Sequence, residues 1–400
     1  FVVKTSNSKK YIQVKCTRFL LHVTEISVFY LTPVSDGLFH CATCKYDWKS
    51  CLKIVQFQPF QFGAHIMHIG GYFIDNPIAL APMAGITDKP FRRICREFGA
   101  GWAVCEMLTS DPSLRHTKKT LRRSDFEGEG GVVAVQIAGS DPQQMAEAAR
   151  YNVGLGAQVI DINMGCPAKK VCNVQAGSAL MQNEPLVVAI LEAVVNAVDV
   201  PVTLKTRLGW HDEHQNLPTI AKIAEESGIA ALAIHGRTRT QMYKGEARYE
   251  LIAETKGRLN IPVWVNGDIT SPQKAAAVLK QTAADGIMIG RGAQGRPWLF
   301  RDLKHYAEHG VLPPALSLAE CNATILNHIR AMHEFYGEVA GVRIARKHIG
   351  WYIDEMPDGE QTRRDINRLD SAAAQYDTLA AYLETLSEKT DRWVCHYREG

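Results

Sequence analysis

The sequence has no apolar run of the roughly 20 residues that a bilayer-spanning helix needs. Its nearest approach, Phe19 to Val34, is interrupted by His22, Glu25 and Pro33, and lacks the small-residue cleavage site of a secretion signal. An excess of one charge is also missing. The 45 Lys and Arg stand against 42 Asp and Glu, so any surface for a polyanion has to come from local clusters. The 10 cysteines follow no framework spacing, which points to a reduced, cytoplasmic chain rather than a disulfide-stapled one. Cys41-Ala42-Thr43-Cys44, with Cys16 and Cys51 nearby, matches no zinc-ligand pattern, and no metal is expected. Methionine is absent before Met67, and residues 1–66 lack sustained periodicity. They are expected to be an extension outside the native domain, with Met67 as its start; the alternative is a poorly organised extra domain.

From Ile69 the pattern becomes regular. A short hairpin, Ile69 to Asp75, is followed by eight apolar stretches: Ile78 to Pro82, Trp102 to Met107, Val132 to Ile137, Ala157 to Ile162, Pro201 to Thr206, Ala230 to His235, Ile261 to Val265 and Gly286 to Ile289. Segments of helical period separate most of them, and Asp141-Pro142 and Ser271-Pro272 place proline where a helix begins. Short Val, Ile and Ala strands alternating with amphipathic helices make a parallel sheet covered on both faces. Eight of them predict an α/β fold, a closed (β/α)8 TIM barrel, with a doubly wound open sheet as the alternative. After Pro313-Pro314 the strand signal stops and helical segments run from Ser317 to Thr385. The expected organisation is an extension at 1–66, a barrel at 67–312, an all-helical domain at 313–386 and a loose tail at 387–400.

Polar residues that interrupt this pattern fall at the strand ends, and in a barrel those ends share one rim. The first strand ends in Ala81-Pro82-Met83-Ala84-Gly85, the third in Gln136, the fourth in Asn163 and Cys166, the fifth in Lys205 and Arg207. The sixth ends in His235, Gly236 and Arg237, the seventh in Asn266-Gly267-Asp268, the eighth in Gly290-Arg291-Gly292. In Asp161-Ile162-Asn163-Met164-Gly165-Cys166-Pro167 a buried strand runs into a tight turn carrying one thiol. Taken alone, such a thiol is as well read as a small buried hydrophobe. The last two glycine-bearing turns suit a phosphate, since their backbone N–H groups lie bare near a following helix. Gly290, Gly292 and Gly295 also satisfy G-x-G-x-x-G, but a dinucleotide fingerprint opens a βαβ unit, and here the strands end. A single-phosphate cofactor such as FMN is the better fit.

From about Met67 to Leu386 the chain resembles the bacterial tRNA-dihydrouridine synthases, most of all the B type. The resemblance is carried by Ala81-Pro82-Met83-Ala84-Gly85-Ile86-Thr87-Asp88, Asn163-Met164-Gly165-Cys166-Pro167, Lys205-Thr206-Arg207, His235-Gly236-Arg237-Thr238, Asn266-Gly267-Asp268 and Gly290-Arg291-Gly292. It implies an FMN-bearing barrel followed by a helical tRNA-binding domain, reducing particular uridines of tRNA with NADPH. By the same resemblance Cys166 is the acid that protonates C5 of uracil, with Asn163, Arg207 and Arg237 at the substrate. Lys205, His235, Gln136 and Pro82, Met83 and Ala84 would contact the flavin ring, while Asn266, Gly267, Asp268, Gly290 and Arg291 hold its phosphate end.

A uridine inside folded tRNA must be unstacked, at a cost of a few kcal/mol that backbone contacts have to offset. Two cationic stretches suit that role. One comprises Arg115, His116, Lys118, Lys119, Arg122 and Arg123 after the second strand, and the other Arg343, Arg346 and Lys347 at helical i, i+3, i+4 spacing. A tRNA-sized substrate needs no second subunit, so a monomer is expected, with no membrane partner. Two other classes compete: a dihydroorotate-type flavin barrel acting on a free pyrimidine, and an RNA-binding module on a degenerate barrel. The first needs neither the helical domain nor the basic loop. The second leaves Cys166, Lys205 and His235 without a purpose.

Overall fold

The structure is a computed structural model that describes residues 67–389 and, before them, only two short strand pairs, Val2–Lys4 with Tyr11–Gln13 and Leu31–Pro33 with Phe39–Cys41. The chain divides into two units, Phe1–Phe57 and Gln58–Gly400, and all that follows concerns the second. The cysteines weighed as metal ligands, Cys16, Cys44 and Cys51, lie outside the described residues, as does the tail from 390.

An antiparallel hairpin, β1 (Met67–Ile69) and β2 (Tyr72–Ile74), precedes the barrel. The wall follows as β3 (Ile78–Leu80), β4 (Trp102–Ala103), β5 (Leu108–Thr109), β6 (Ala134–Ala138), β7 (Val159–Asn163), β8 (Val202–Arg207), β9 (Ala231–His235), β10 (Val263–Asn266) and β11 (Gly286–Ile289). All neighbours are parallel, in the order β4-β3-β11-β10-β9-β8-β7-β6-β5. The two ends of that order are one stave. β4 pairs with β3, β5 pairs with β6, and a bridge from Val104 to Ala134 joins them, so the sheet closes as the eight-stave TIM barrel that the sequence predicts.

Where one strand from Trp102 to Met107 is expected, the stave is two short pieces, Trp102–Ala103 and Leu108–Thr109. Between them Glu106 turns its carboxylate to the backbone N–H of Gly85 and the Arg123 guanidinium, and a buried acid seeking those partners takes the chain out of the ladder.

Strand periodicity sorts the side chains into two faces. Val135, Ile137, Ile160, Ile162, Leu204, Leu232, Ile234, Val265 and Ile287 point out into the layer beneath the helices. The inward face is itself divided. Ala79, Trp102, Ala134, Val159, Ala231, Trp264 and Met288 make an apolar floor against Met67, Ile69 and Ile74 of the hairpin, which caps the bottom of the barrel. Above that floor, two to four residues further along the staves, the inward positions turn polar: Gln136, Asp161, Asn163, Lys205, Arg207, His235 and Asn266.

The helices begin where capping chemistry places them. Asp88 accepts from Phe91 N at 3.0 Å to start α1 (Lys89–Glu97), Asp141 caps α3 (Pro142–Gly154) after the short α2 (Lys118–Arg123), and each of Asp88 and Asp141 has proline in the first turn. The barrel helices continue as α4 (Lys169–Cys172), α5 (Glu184–Val195), α6 (Leu217–Glu226), α7 (Glu250–Lys256), α8 (Pro272–Thr282), which Ser271 caps, and α9 (Leu299–His309). Past the barrel come α10 (Leu318–Tyr336), opened by a Ser317–Glu320 capping box, then α11 (Glu338–Ile353), α12 (Gly359–Ile366) and α13 (Ala372–Lys389). They enclose a separate apolar core that includes Trp298, Ile325, Ile329, Ile349, Tyr352, Leu379 and Leu383. Among the described residues, no helix is long and apolar enough to cross a membrane.

This helical region is tied to the mouth of the barrel. The Phe91 ring lies 5.6 Å from His328 and 5.5 Å from His348, Tyr336 donates from its hydroxyl to Asp88 at 2.9 Å, and Lys347 Nζ donates to the Gly85 carbonyl.

Candidate active site

Parallel register sets the rim. Asn163 lies opposite Lys205, Arg207 opposite His235, and His235 opposite Asn266, so the polar residues of four consecutive staves are near neighbours.

The turn after β7 is held from several directions. The Asn163 side-chain oxygen accepts from Gly165 N at 3.2 Å and Cys166 N at 3.0 Å. Arg207 Nε donates to the Gly165 carbonyl at 2.6 Å, and Ser178 donates to the Cys166 carbonyl from its backbone N at 3.1 Å and its hydroxyl at 2.9 Å. Arg207 is itself fixed by donating to the carbonyls of Thr238 and Met242, at 3.0 and 2.9 Å. Cys166 is thus presented half-buried at a strand end. Burial pushes its thiol above the usual range, so it stays protonated at neutral pH.

The cations around it respond to the same desolvation. Burial, reinforced by Arg207, pushes Lys205 down to about 8. His235 is held well below its usual value by burial and by the charges of Arg207, Lys205, Arg237 and Arg291, and is therefore neutral. Lys205 Nζ donates to Asn266 Oδ1 at 3.1 Å, and Asn266 Nδ2 donates to the Met288 carbonyl at 2.7 Å.

The turns after β10 and β11 are built differently. Gly267 has φ +130, and a Cβ there would stand 2.7 Å from Ala247 Cβ and 3.2 Å from His235 Cδ2; a Cβ on Gly292 would stand 2.5 Å from the Ile269 carbonyl oxygen. Only glycine fits either place. Asp268 bridges Arg237 at 2.5 Å and Arg291 at 3.3 Å, and accepts from Ala247 N at 2.8 Å. Burial alone would raise its pKa, but the Arg237 hydrogen bond and these other contacts hold it below the usual carboxylate range. Arg291, half-exposed, lies over the Tyr243 ring at 5.0 Å.

The donor set fits an anionic, electron-rich ligand. Asp161 and Asp268 are engaged in internal bonds, while Lys205, Arg207 and Arg291 bring positive charge to the mouth beside turns that admit no side chain. A flavin with one phosphate has that chemistry.

The expected site residues are not all placed alike. Cys166, Asn163, Lys205, Arg207, His235 and Asn266 share the rim with Gln136. Arg237 is an internal brace, donating to the carbonyls of Lys244 and Gly245 as well as to Asp268. Pro82, Met83 and Ala84 lie in the loop after β3, which Thr87 folds back on itself, its hydroxyl accepting from Met83 N at 2.8 Å; Met83 Sδ lies 3.9 Å from Gln294 Nε2 in the loop after β11. Of the basic stretches, Lys118, Lys119 and Arg343 are exposed. Arg115 pairs with Glu147 at 3.8 Å and stacks on Tyr151, Arg122 donates to the Tyr336 carbonyl at 3.0 Å, and Arg346 pairs with Asp370 at 3.1 Å. Together with Lys347 on Gly85, these four each have a partner within the chain. The Arg122 bond ties α2 to the end of α10.

Sequence reasoning passed over Asp161, Thr203, Ser178 and Tyr243. For Asp161 and Thr203 the signal was available, since both stand two places before a rim residue on an inward-facing register. Tyr243 and Ser178 lie in connecting segments without a periodic pattern.

A family model for dihydrouridine synthase (Dus) matches residues 79–389. The tRNA-dihydrouridine synthase B of Xanthomonas campestris pv. campestris is 58% identical over 320 residues, which is 80% of this chain and 96% of that protein. Those of Vibrio vulnificus and Pseudomonas aeruginosa are 54% identical over 321 residues and 55% over 310, covering 80% and 78% of this chain and 100% and 93% of theirs.

Proposed function

The chain belongs to the dihydrouridine synthase family, and from that premise we propose that it reduces the C5–C6 double bond of specific uridines in tRNA to 5,6-dihydrouridine, with FMN bound in the barrel, NADPH as reductant and Cys166 as proton donor. The observation that carries this reading is the clamped turn that presents a protonated thiol beside Lys205, Arg207 and a neutral His235. FMN, when bound, supplies the hydride that C6 receives. Lys205, His235, Gln136 and the Pro82 to Ala84 loop would hold its ring, and the Asn266 to Asp268 and Gly290 to Arg291 turns its phosphate end.

The remaining chemistry falls to the chain itself. Cys166 delivers a proton to C5, and the thiolate left behind faces the charges of Arg207 and Lys205, which moderate its cost. Asn163 has one N–H on Gln136 and the other only on the Met107 sulfur at 3.7 Å, a weak acceptor that a uracil oxygen can displace. Arg207 and the braced Arg237 keep positive charge near the base as negative charge develops on it. Lys118 and Lys119 beside the barrel and Arg343 in the helical region provide exposed charge for the tRNA backbone. On this reading the helical region at 313–386 is the tRNA-binding domain, and the protein works as a cytoplasmic monomer.

Replacing Cys166 by alanine tests the assignment. Cys166→Ala should keep bound yellow flavin and its reduction by NADPH while dihydrouridine in tRNA, read by mass spectrometry of digested nucleosides, falls by about a hundredfold or more. Undiminished product would remove Cys166 from the reaction.

A further inference from the structure

Beneath the Cys166 turn runs a chain of buried side chains that links Gln136 and Asn163 to two groups the reaction as described does not use, Asp161 and Thr203. Thr203 donates from its hydroxyl to Asp161 Oδ1 at 2.6 Å, and Gln136 Nε2 donates to Asp161 Oδ2 at 2.7 Å. Asn163 Nδ2 donates to Gln136 Oε1 at 2.7 Å, and Asn163 Oδ1 accepts from Cys166 N and Gly165 N. Asp161, Gln136 and Thr203 are 3%, 1% and 3% exposed, so water does not compete for these bonds.

The polarity of the chain is forced from both ends. An amide side chain can turn either way, but a carboxylate only accepts and a backbone N–H only donates. The Cys166 and Gly165 N–H groups require the Asn163 oxygen, which leaves its nitrogen for Gln136. The Gln136 oxygen then faces Asn163 and its nitrogen faces Asp161, which must be the acceptor. A neutral amide at position 161 can present either N–H or oxygen to Gln136, so the order of Asn163 then rests on the Cys166 and Gly165 N–H groups alone.

We propose that Asp161 is a positioning residue for the Cys166 turn, acting through Gln136 and Asn163 to keep the Asn163 oxygen on the Cys166 backbone N–H. Its effect on activity rests on Cys166 being the proton donor, whereas its effect on the turn does not.

The test is the pH profile of Cys166 alkylation by iodoacetamide in the full, flavin-loaded chain, read by peptide mass spectrometry. Asp161→Asn should shift the Cys166 profile, with kcat about ten- to a hundredfold lower and KM changed far less. The decisive variant is the exchange Asp161→Asn with Gln136→Glu, which moves the acceptor one place along. The carboxylate introduced on β6 then accepts both from the amide introduced on β7 and from Asn163, so the wild-type profile should return. Gln136→Glu alone sets two carboxylates against each other and should be worse than either. If Asp161→Asn does not fold, Thr203→Val, which removes one bond from Asp161, should shift the profile in the same direction by less. A wild-type profile in Asp161→Asn, or no recovery in the exchange, would overturn the proposal. Retained product in Cys166→Ala would overturn the functional reading and leave this result standing.

Discussion

The two sides of the barrel mouth are made of different material. Around Cys166, position is set by side chains bonded to side chains and to backbone: Thr203, Asp161, Gln136, Asn163, Arg207 and Ser178. Around Gly267 and Gly292, it is set by the absence of side chains, where backbone passes too close to its neighbours to admit a Cβ, with one bridged carboxylate, Asp268, holding two arginines. A side-chain network places a reacting atom and can be retuned by exchanging donors for acceptors. A glycine turn offers bare backbone to a ligand and tolerates no exchange. The first suits proton transfer and the second suits anion holding.

The strongest way to break the comparison is at Gly292. Gly292→Val would put its Cβ against the fixed Ile269 carbonyl at 2.5 Å, so the turn has to move. Stability should fall by about 2–4 kcal/mol, with loss of bound flavin on gel filtration. A variant that keeps its melting temperature and its colour would mean the turn is not defined by backbone approach.

Lys205 sharpens the other side. Because burial depresses its pKa to about 8, the unfolded chain binds more protons than the folded one between about 8 and 10.5, and stability from this group rises with pH across that window. At pH 7 its buried charge is a cost. In the flavin-free chain Lys205→Met should therefore raise stability at pH 7 by about 1–2 kcal/mol, flatten the rise from pH 8 to 10.5, and lower activity. Denaturant unfolding across that range reads the sign, and a destabilised variant at pH 7 would show that the bond to Asn266 outweighs desolvation.

The smallest effect belongs outside the mouth. Arg343→Glu should leave folding and flavin unchanged, weaken tRNA binding, and reduce the slope of log affinity against log salt by about 1. Arg346→Glu, which loses its pairing with Asp370 and its bond to the Leu369 carbonyl, should cost stability as well. Equal salt slopes with equal stability in both variants would show that the burial of Arg346 has no consequence for its role.

Much of this architecture is legible in the residue pattern alone. Alternation with period two determines which residues of each stave face inward, and the prolines after Asp141 and Ser271 mark helix starts that the structure places at those same prolines, because caps and strand faces are set by bonds within a few residues. The convergence of Asn163, Cys166, Lys205, His235 and Asn266 follows from their all standing at strand ends, once a barrel is inferred. What the sequence could not specify is partnership across the fold. Whether Lys347 reaches solvent or the Gly85 carbonyl, whether Arg122 is free or bound to Tyr336, and why the second strand breaks at Glu106 depend on groups far apart in the chain. The same holds for Asp161. Its inward direction is written in the alternation of its own strand, but the acceptor role that orders Gln136 and Asn163 exists only because closing the barrel lays β6, β7 and β8 side by side.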